Sequence, residues 1–600
     1  MEGFFVSYVD LAVFIVSFGV SLLIGIYYGF VSKKQQNSPV EYLLGGKKMG
    51  ILPVAASLVA TQLSGPSLLG MPAEIYAFGT QYWLIIFPTI LMTIAVIKIH
   101  LRVIYEQGSL SSFIYIQRRF GWRVKKMMSA IYALSTLLFL PVAIYVPALT
   151  LNQMTGLDIY ASAMVLSVLC LFYTLFGGMR AILWTDTLQL ALMLTATILV
   201  ALLAVHTAGG VQKVWEAADR GGRLIFFNFN IDMRDCTPIQ SIVQFLLIVC
   251  AIDLRRLSCK STHVLSDSCS MNASPVVRVS FWTIAVGNPF TLLFHLGLNP
   301  TSIQRYITVP SFEAARTSVI AMSVGYVVFQ ALFLITGLAL YANYEACDPV
   351  TEGVIRKIDQ IVPHFIVEKS DHIPGLAGLF AAGIFSASLS SMSSCLNTLS
   401  GCIYEDFLAT TFRHFTESQK SLLLKGIVLV MGVIQLALVF LVDSLGTMVF
   451  LLTVSVVSIS GGIVIGIFTA GMLLPKMNSC GALCGGISAL VAVGSITIGA
   501  QMRLKEPTLP LRSDGCSNST LISAPIETPD QEDVSWIFRI NYMFYALLGF
   551  ALVFIIGYPV SLMTGGERVK DERLLTPCLR KRKPERQDIQ YNAVNAQNNK

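Results

Sequence analysis

Charge is what this sequence has least of. Only 13% of its 600 residues are charged, against 54% hydrophobic. A soluble domain carries about 25% charged residues, because water must solvate its surface. A soluble enzyme, a disordered chain and a secreted scaffold are thereby excluded. Cysteine is scarce too. Twelve are too few for a disulfide framework, several (Cys170, Cys395, Cys402, Cys480, Cys484) fall in or beside apolar runs, and none has zinc-ligand spacing with a histidine. The chain shows no phosphate-binding loop and no nucleophile–base constellation, which argues against an enzyme. It shows no selectivity filter or charged ring, which argues against a channel. No basic leader precedes the first apolar run, about 8–30, so that run is expected to stay as an uncleaved span.

Long apolar runs are what is present. Segments such as 159–176 and 448–475 reach or approach the roughly 20 residues that cross a bilayer. The expected fold class is an all-α polytopic membrane protein of about thirteen spans. These lie near 8–30, 50–75, 79–102, 124–150, 158–177, 180–206, 276–298, 315–341, 373–404, 421–442, 446–474, 480–500 and 537–562. The net charge of +7 sits in short blocks between spans, so it points to a membrane surface rather than to nucleic acid. With the N-terminus outside, the inner segments collect Lys33, Lys34, Lys47, Lys48, Arg102, Arg118, Arg119, Arg123, Lys125 and Lys126. Arg180, Arg305, Arg413, Lys420 and the cluster Arg580-Lys581-Arg582-Lys583 follow. The outer segments 207–275, 342–372 and 501–536 mix signs. That bias predicts an extracellular N-terminus and a cytoplasmic C-terminus, in the plasma membrane. Two glycosylation sequons, at Asn272 and Asn518, fall on the outer side, the first followed by Pro275.

Internal symmetry refines the picture. Many secondary transporters are two inverted repeats, with helices broken near the midplane at corresponding positions. After an extra N-terminal helix and inner loop (1–49), spans within 50–206 and 276–474 form two sets of five. The segment 207–275 joins them, two additional helices occupy 475–562, and 563–600 forms a cytoplasmic tail. The first set opens with an interruption at Ser64-Gly65-Pro66 and the second with one at Gly287-Asn288-Pro289. Proline removes a backbone donor and glycine relaxes the backbone, so both spans are expected to unwind there. Unwound backbone at that depth lines a cavity or is buried in protein. Ordinary proline kinks are the competing reading, weakened by the matching positions.

Sodium, a hard cation, calls for oxygen ligands. The span at 373–404 holds six serines between Ser386 and Ser394, and Ala387, Ser390 and Ser391 share one helix face. They are placed to meet carbonyls freed near Ala60 and Leu63; close helix packing by small residues is the alternative. Asp186 lies inside a long apolar span, where a carboxylate faces a pathway or a partner, and Arg180 is the nearest candidate partner. His295 stands alone in its span, without a second metal ligand at fitting spacing.

Taken together, several motifs resemble one family. They are the run at 41–47 ending Gly45-Gly46-Lys47, the run at 68–76, and the run at 173–186 with Gly177-Gly178 and Trp184-Thr185-Asp186. Gln304-Arg305-Tyr306, Cys347-Asp348-Pro349 and 390–397 followed by Tyr404-Glu405-Asp406 complete the set. Over about 1–570 the chain resembles the sodium:solute symporter family, in the branch of monocarboxylate, multivitamin and iodide transporters. The resemblance implies a LeuT-like inverted-repeat core with one extra N-terminal helix, alternating access, no cofactor, and sodium as coupling ion and sole metal. It implies a sodium site from the carbonyls of Ala60, Leu63 and Ala387 and the hydroxyls of Ser390 and Ser391. Asp186 would lie close by and Gln189 would join a further sodium position. It implies a substrate site against Gly65, Pro66, Ser67, Leu68, Tyr82, Trp83, Phe290, Phe294 and Asn299.

The chain departs from the family pattern in three places. It reads His295-Leu-Gly-Leu-Asn299-Pro300 ahead of the Gln-Arg-Tyr motif, carries a proline at 66, and has extra residues at about 235–274. The last is either an outer loop of this lineage or retained non-coding sequence, the second reading being preferred. The function expected is sodium-coupled import of a small organic anion, chiefly a monocarboxylate such as lactate, nicotinate or a short-chain fatty acid. The partners are then sodium, the anion and the lipid bilayer. A multivitamin or iodide-like transporter and a non-transporting sensor are the alternatives.

Overall fold

The computed structural model describes residues 7–28, 38–108, 111–226, 282–355, 357–370, 373–444, 449–503, 516, 535–566, 569 and 571–580. The sequons at Asn272 and Asn518 and the segment 235–274 lie outside them. Among the described residues the structure is all helix. The principal helices are α1 (Tyr8–Ile26), α2 (Ile51–Gln62), α3 (Gly65–Phe78), α4 (Thr80–Gln107), α5 (Trp122–Thr155), α6 (Ile159–Thr207), α7 (283–298), α8 (Pro300–Thr308) and α9 (Phe312–Asn343). They continue as α10 (Leu376–Ile403), α11 (Glu417–Ser444), α12 (Val449–Leu473), α13 (Ser479–Arg503) and α14 (Tyr545–Met563).

Ten helices among the described residues are long and apolar enough to cross a membrane, or eleven if the bent pair Pro39–Lys47 and α2, at 113°, is one span. The difference from thirteen has identifiable sources. At about 1.5 Å per residue the 49 residues of α6 run to roughly 70 Å, more than twice a hydrocarbon core. Gly178 inside it has φ 57° and ψ −164°, a conformation that breaks the helix and that side chains rarely adopt. A methyl there would also press on Tyr42 at 3.1 Å. The expected span at 50–75 divides into α2 and α3, and the described part of 276–298 is only the short α7.

Small residues set the closest packing. Gly481 and Gly485 of α13 lie against Gly557 of α14, and Gly462 of α12 lies against Gly549. Where lipid is as apolar as the protein, close van der Waals approach of this kind holds helices together. α10 sits at the centre, packed on α6, α5, α1 and α2. The extra helix α1 is pinned to it: Asp10 is buried and accepts from the backbone N–H of Gly378 in the first turn of α10, at 2.9 Å. A disulfide joins Cys347 to Cys516, a link the cysteine count did not announce.

Several basic residues are tied together at one end of the bundle. Lys47 donates to the Gly108 carbonyl at 2.7 Å, Arg119 to the carbonyls of Gly471 and Leu474, and Arg580 pairs with Glu106. Lys125 forms a buried ion pair with Asp406 at 2.9 Å. Arg305 is a correction: it is fully buried between helices and is not a loop cation.

Candidate functional site

Two helix breaks build the site. The first falls where expected. α2 ends at Gln62, Leu63 and Ser64 leave helical geometry, and α3 starts at Gly65 with Pro66 in its first turn. A proline there loses no hydrogen bond, since the first N–H groups of a helix have no intrahelical acceptor. Ala60 and Leu63 stand at the end of α2, where carbonyls lose their i+4 donors. Gly65 allows close approach, because a methyl on it would collide with the Ser388 hydroxyl of α10.

The second break lies elsewhere than the sequence reading put it. Gly287, Asn288 and Pro289 are helical, following a π-helical turn at Thr283–Gly287. That wider turn accommodates the missing proline donor without unwinding the chain. The chain opens eleven residues further on, at Asn299, which is extended (φ −62°, ψ 127°) before Pro300 starts α8. A residue preceding proline is pushed out of the helical region, and proline suits the first helical position.

The breaks face each other. Gln62 donates to the His295 carbonyl at 2.8 Å and to the Ser302 hydroxyl at 3.0 Å, tying the end of α2 to both α7 and α8. Between them lies a cavity of about 140 Å³, far above the space one water needs. Gln62, Leu63, Ser64 and Ser67 line it from the first break, Phe294, His295, Asn299 and Thr301 from the second. Tyr82, Tyr132, Tyr326 and Gln330 close other sides. No Lys, Arg, Asp or Glu is among the described lining residues. The helix ends differ: Asn299 caps α8 by accepting from the Thr301 N–H at 3.1 Å, whereas α3 has no side-chain cap and Ser64 pairs with the Ser67 hydroxyl instead.

Below the breaks, buried polar groups form two sets. In one, the Arg305 guanidinium donates to Asp186 at 3.2 Å, to Ser57 at 2.6 Å, to the Thr301 carbonyl at 2.9 Å and to Ser394; Ser57 in turn donates to Asp186. Both charged side chains are fully buried. In the other set, the hydroxyls of Ser388 and Ser391 and both side-chain polar atoms of Gln189 are buried without a hydrogen-bond partner among the described residues, next to the Asp186 carboxylate. Such groups are costly unless something polar occupies the space beside them.

A match to the family model described as "Sodium:solute symporter family" covers residues 42–489. The chain belongs to the sodium:solute symporter family. Curated relatives include the human sodium-coupled monocarboxylate transporter 1, 32% identical over 93% of this chain and 88% of the relative. A putative sodium-dependent multivitamin transporter of Drosophila melanogaster is 31% identical over 92% and 86%. Among solved structures, a Na+-coupled sialic acid symporter in a substrate-bound outward-open state matches with TM-score 0.70, covering 94% of this chain and all of that one at 20% identity. That likeness shows a shared fold. This symporter is therefore a sodium-coupled transporter rather than an enzyme.

The symporter brings some expected site residues together and not others. Leu63, Ser67, Tyr82, Phe294 and Asn299 reach the cavity. Gly65, Pro66 and Leu68 sit in the first turn of α3, off the cavity wall. Trp83 points away, its indole donating to the Phe226 carbonyl at 3.2 Å, and Phe290 packs on Phe550 with ring centroids 4.8 Å apart. Ala387, Ser390 and Ser391 are buried on α10, which packs on α2 and α6. Asp186 is not paired with Arg180. The two lie six residues apart on a helix and so point about 120° away from each other, and Arg180 meets Glu41 at 2.5 Å instead. Sequence reasoning missed Ser57, Gln62 and the pairing of Arg305, although the Gln-Arg-Tyr motif had marked that arginine.

Proposed function

We propose that this symporter imports a short-chain monocarboxylate together with sodium. The observation that carries the reading is the buried set of partnerless oxygens on α6 and α10 beside the uncapped start of α3. The oxygens suit a hard cation: Ser390, Ser391 and the carbonyls of Ala60, Leu63 and Ala387 as one position, with Gln189 and the Asp186 carboxylate offering another. Arg305 already neutralises Asp186, so that residue acts there as a polar oxygen rather than a full counter-charge.

A carboxylate is favoured by the positive dipole end of α3, where the Ser67 and Leu68 N–H groups turn back on the Ser64 carbonyl, beside a cavity whose described lining carries no competing anion. Tyr82, Phe294 and Asn299 bound the aliphatic part. Both kinds of relative match this chain, so uptake decides between lactate, nicotinate or a short-chain fatty acid and a bicyclic vitamin.

We further infer thirteen spans, counting α6 as two and the pairs α2/α3 and α7/α8 as one broken span each. The repeats are 50–206 and 276–474, with the N-terminus outside and the C-terminus in the cytoplasm of a plasma-membrane protein. Support comes from the disulfide between the segments 342–372 and 501–536, since disulfides persist on the oxidising side, and from the basic residues at the opposite end.

The test is expression in oocytes, measuring labelled uptake and current for lactate, nicotinate and biotin with and without sodium. Sodium-dependent lactate or nicotinate uptake is expected. Sodium-independent flux would sink coupling, and binding without flux would leave a sensor.

A further inference from the structure

Six cysteines among the described residues are free, and three of them, Cys170, Cys395 and Cys402, are enclosed by helices. Cys480 and Cys484 are different. Both are exposed, one turn apart in the first turns of α13, with their side chains in mutual contact. Ile487, Val491 and Ile498 continue the same face, 52%, 62% and 63% exposed. Steps of four, three, four and seven residues keep one side of a helix. A different side, at Gly481 and Gly485 about 100° round the helix, is the one packed on α14. The two thiols therefore head a stripe that faces lipid.

Their depth and end of the bundle are equally defined. Asn478 caps α13, accepting from the Gly481 N–H at 2.9 Å, and Lys476 is exposed just before it. Ser479 donates to the Phe120 carbonyl, and Arg119 reaches the carbonyl of Leu474. Val569, beyond the last span, donates to the Pro475 carbonyl at 3.2 Å. This is the basic end, where the helix leaves the headgroup layer. Cys484 lies about 6 Å deeper than Cys480.

We propose that Cys480 and Cys484 form a paired S-acylation site for long-chain fatty acyl groups. The inference rests on the orientation stated under Proposed function, which puts this end in the cytoplasm. The cysteine sulfur attacks the thioester carbonyl of a fatty acyl-coenzyme A. A new carbon–sulfur bond forms, the old one breaks, and coenzyme A leaves as a thiol carrying the proton that the cysteine gives up. The acyl chains then lie along Ile487, Val491 and Ile498, widening the apolar girth of α13 in the inner leaflet. Juxtamembrane cysteines are the setting in which this modification occurs. Because the protein already spans the membrane, the acyl chains are not needed to anchor it and act on how α13 meets the inner leaflet.

The test is metabolic labelling of cells expressing the full chain with an alkynyl palmitate, read with and without hydroxylamine. Cys480→Ser, Cys484→Ser, the double variant and Cys578→Ser, an exposed tail control, are compared. Hydroxylamine-labile label should fall about twofold in each single variant and to background in the double variant, while Cys578→Ser keeps it. Full label in the double variant, or no labile label on the wild-type chain, overturns the proposal. A membrane-impermeant maleimide on intact cells separates the two failures. Labelling of Cys480 from outside overturns the orientation and the acylation together. Labelling only after permeabilisation, with no labile acyl group, overturns acylation and leaves the orientation standing.

Discussion

The two buried polar sets below the helix breaks share α6 and α10, yet they differ in one respect. Around Arg305 every hydrogen bond the guanidinium makes has a defined partner, across α2, α6, α8 and α10. Around Ser391 and Gln189, α6 and α10 carry buried polar atoms with no hydrogen-bond partner among the described residues. A satisfied buried network is structural, whereas an unsatisfied one costs stability unless a ligand repays it. The contrast separates what holds the symporter together from where the proposed sodium positions lie.

The largest effect should come from breaking the satisfied set. Arg305→Leu leaves the Asp186 carboxylate buried and unpaired, a loss of about 3–5 kcal/mol. Thermal melting of the purified protein should show a large fall, and Arg305→Leu with Asp186→Asn should recover part of it. A double variant no better than the single would mean that the pair is not what holds these helices.

The unsatisfied set should answer differently. Ser391→Ala removes a hydroxyl that bonds nothing, so melting should stay within a few degrees. The sodium concentration for half-maximal uptake should rise about tenfold, the equivalent of ~1.4 kcal/mol. An unchanged sodium dependence with a lowered melting temperature would reverse the assignment of the two sets.

Smaller effects sharpen the same division at the breaks. Asn299→Ala removes the cap of α8, costing about 1 kcal/mol. It should weaken substrate affinity more than sodium affinity, as paired uptake titrations would read. Pro300→Ala should matter least, at roughly 0.5 kcal/mol, because proline only presets a geometry that the chain already has there. A complete loss of uptake from that change would make Pro300 part of the binding surface.

How far the sequence revealed this depended on distance along the chain. The first break was legible at Ser64-Gly65-Pro66, since glycine and proline act on their own backbone. The same cue misled at Gly287-Asn288-Pro289, where one wider helical turn absorbs the proline, and the opening falls at Asn299. The serine face on α10 was legible from helical spacing. The Arg305–Asp186 pair was not, because its members are 119 positions apart and meet only once the helices pack. Membrane class and charge asymmetry were plain from composition, while the number of helices long enough to span depended on breaks such as Gly178, whose backbone divides α6.

The disulfide has a topological consequence. Cys347 and Cys516 close a covalent ring that contains α10, α11, α12 and α13. A bond between two loops requires both on one face, so the ring must cross the bilayer an even number of times, as four helices do. The serine-bearing helix is inside that ring. A protease cut in any loop of the ring should leave a chain that migrates as one piece until reductant is added, and then parts in two.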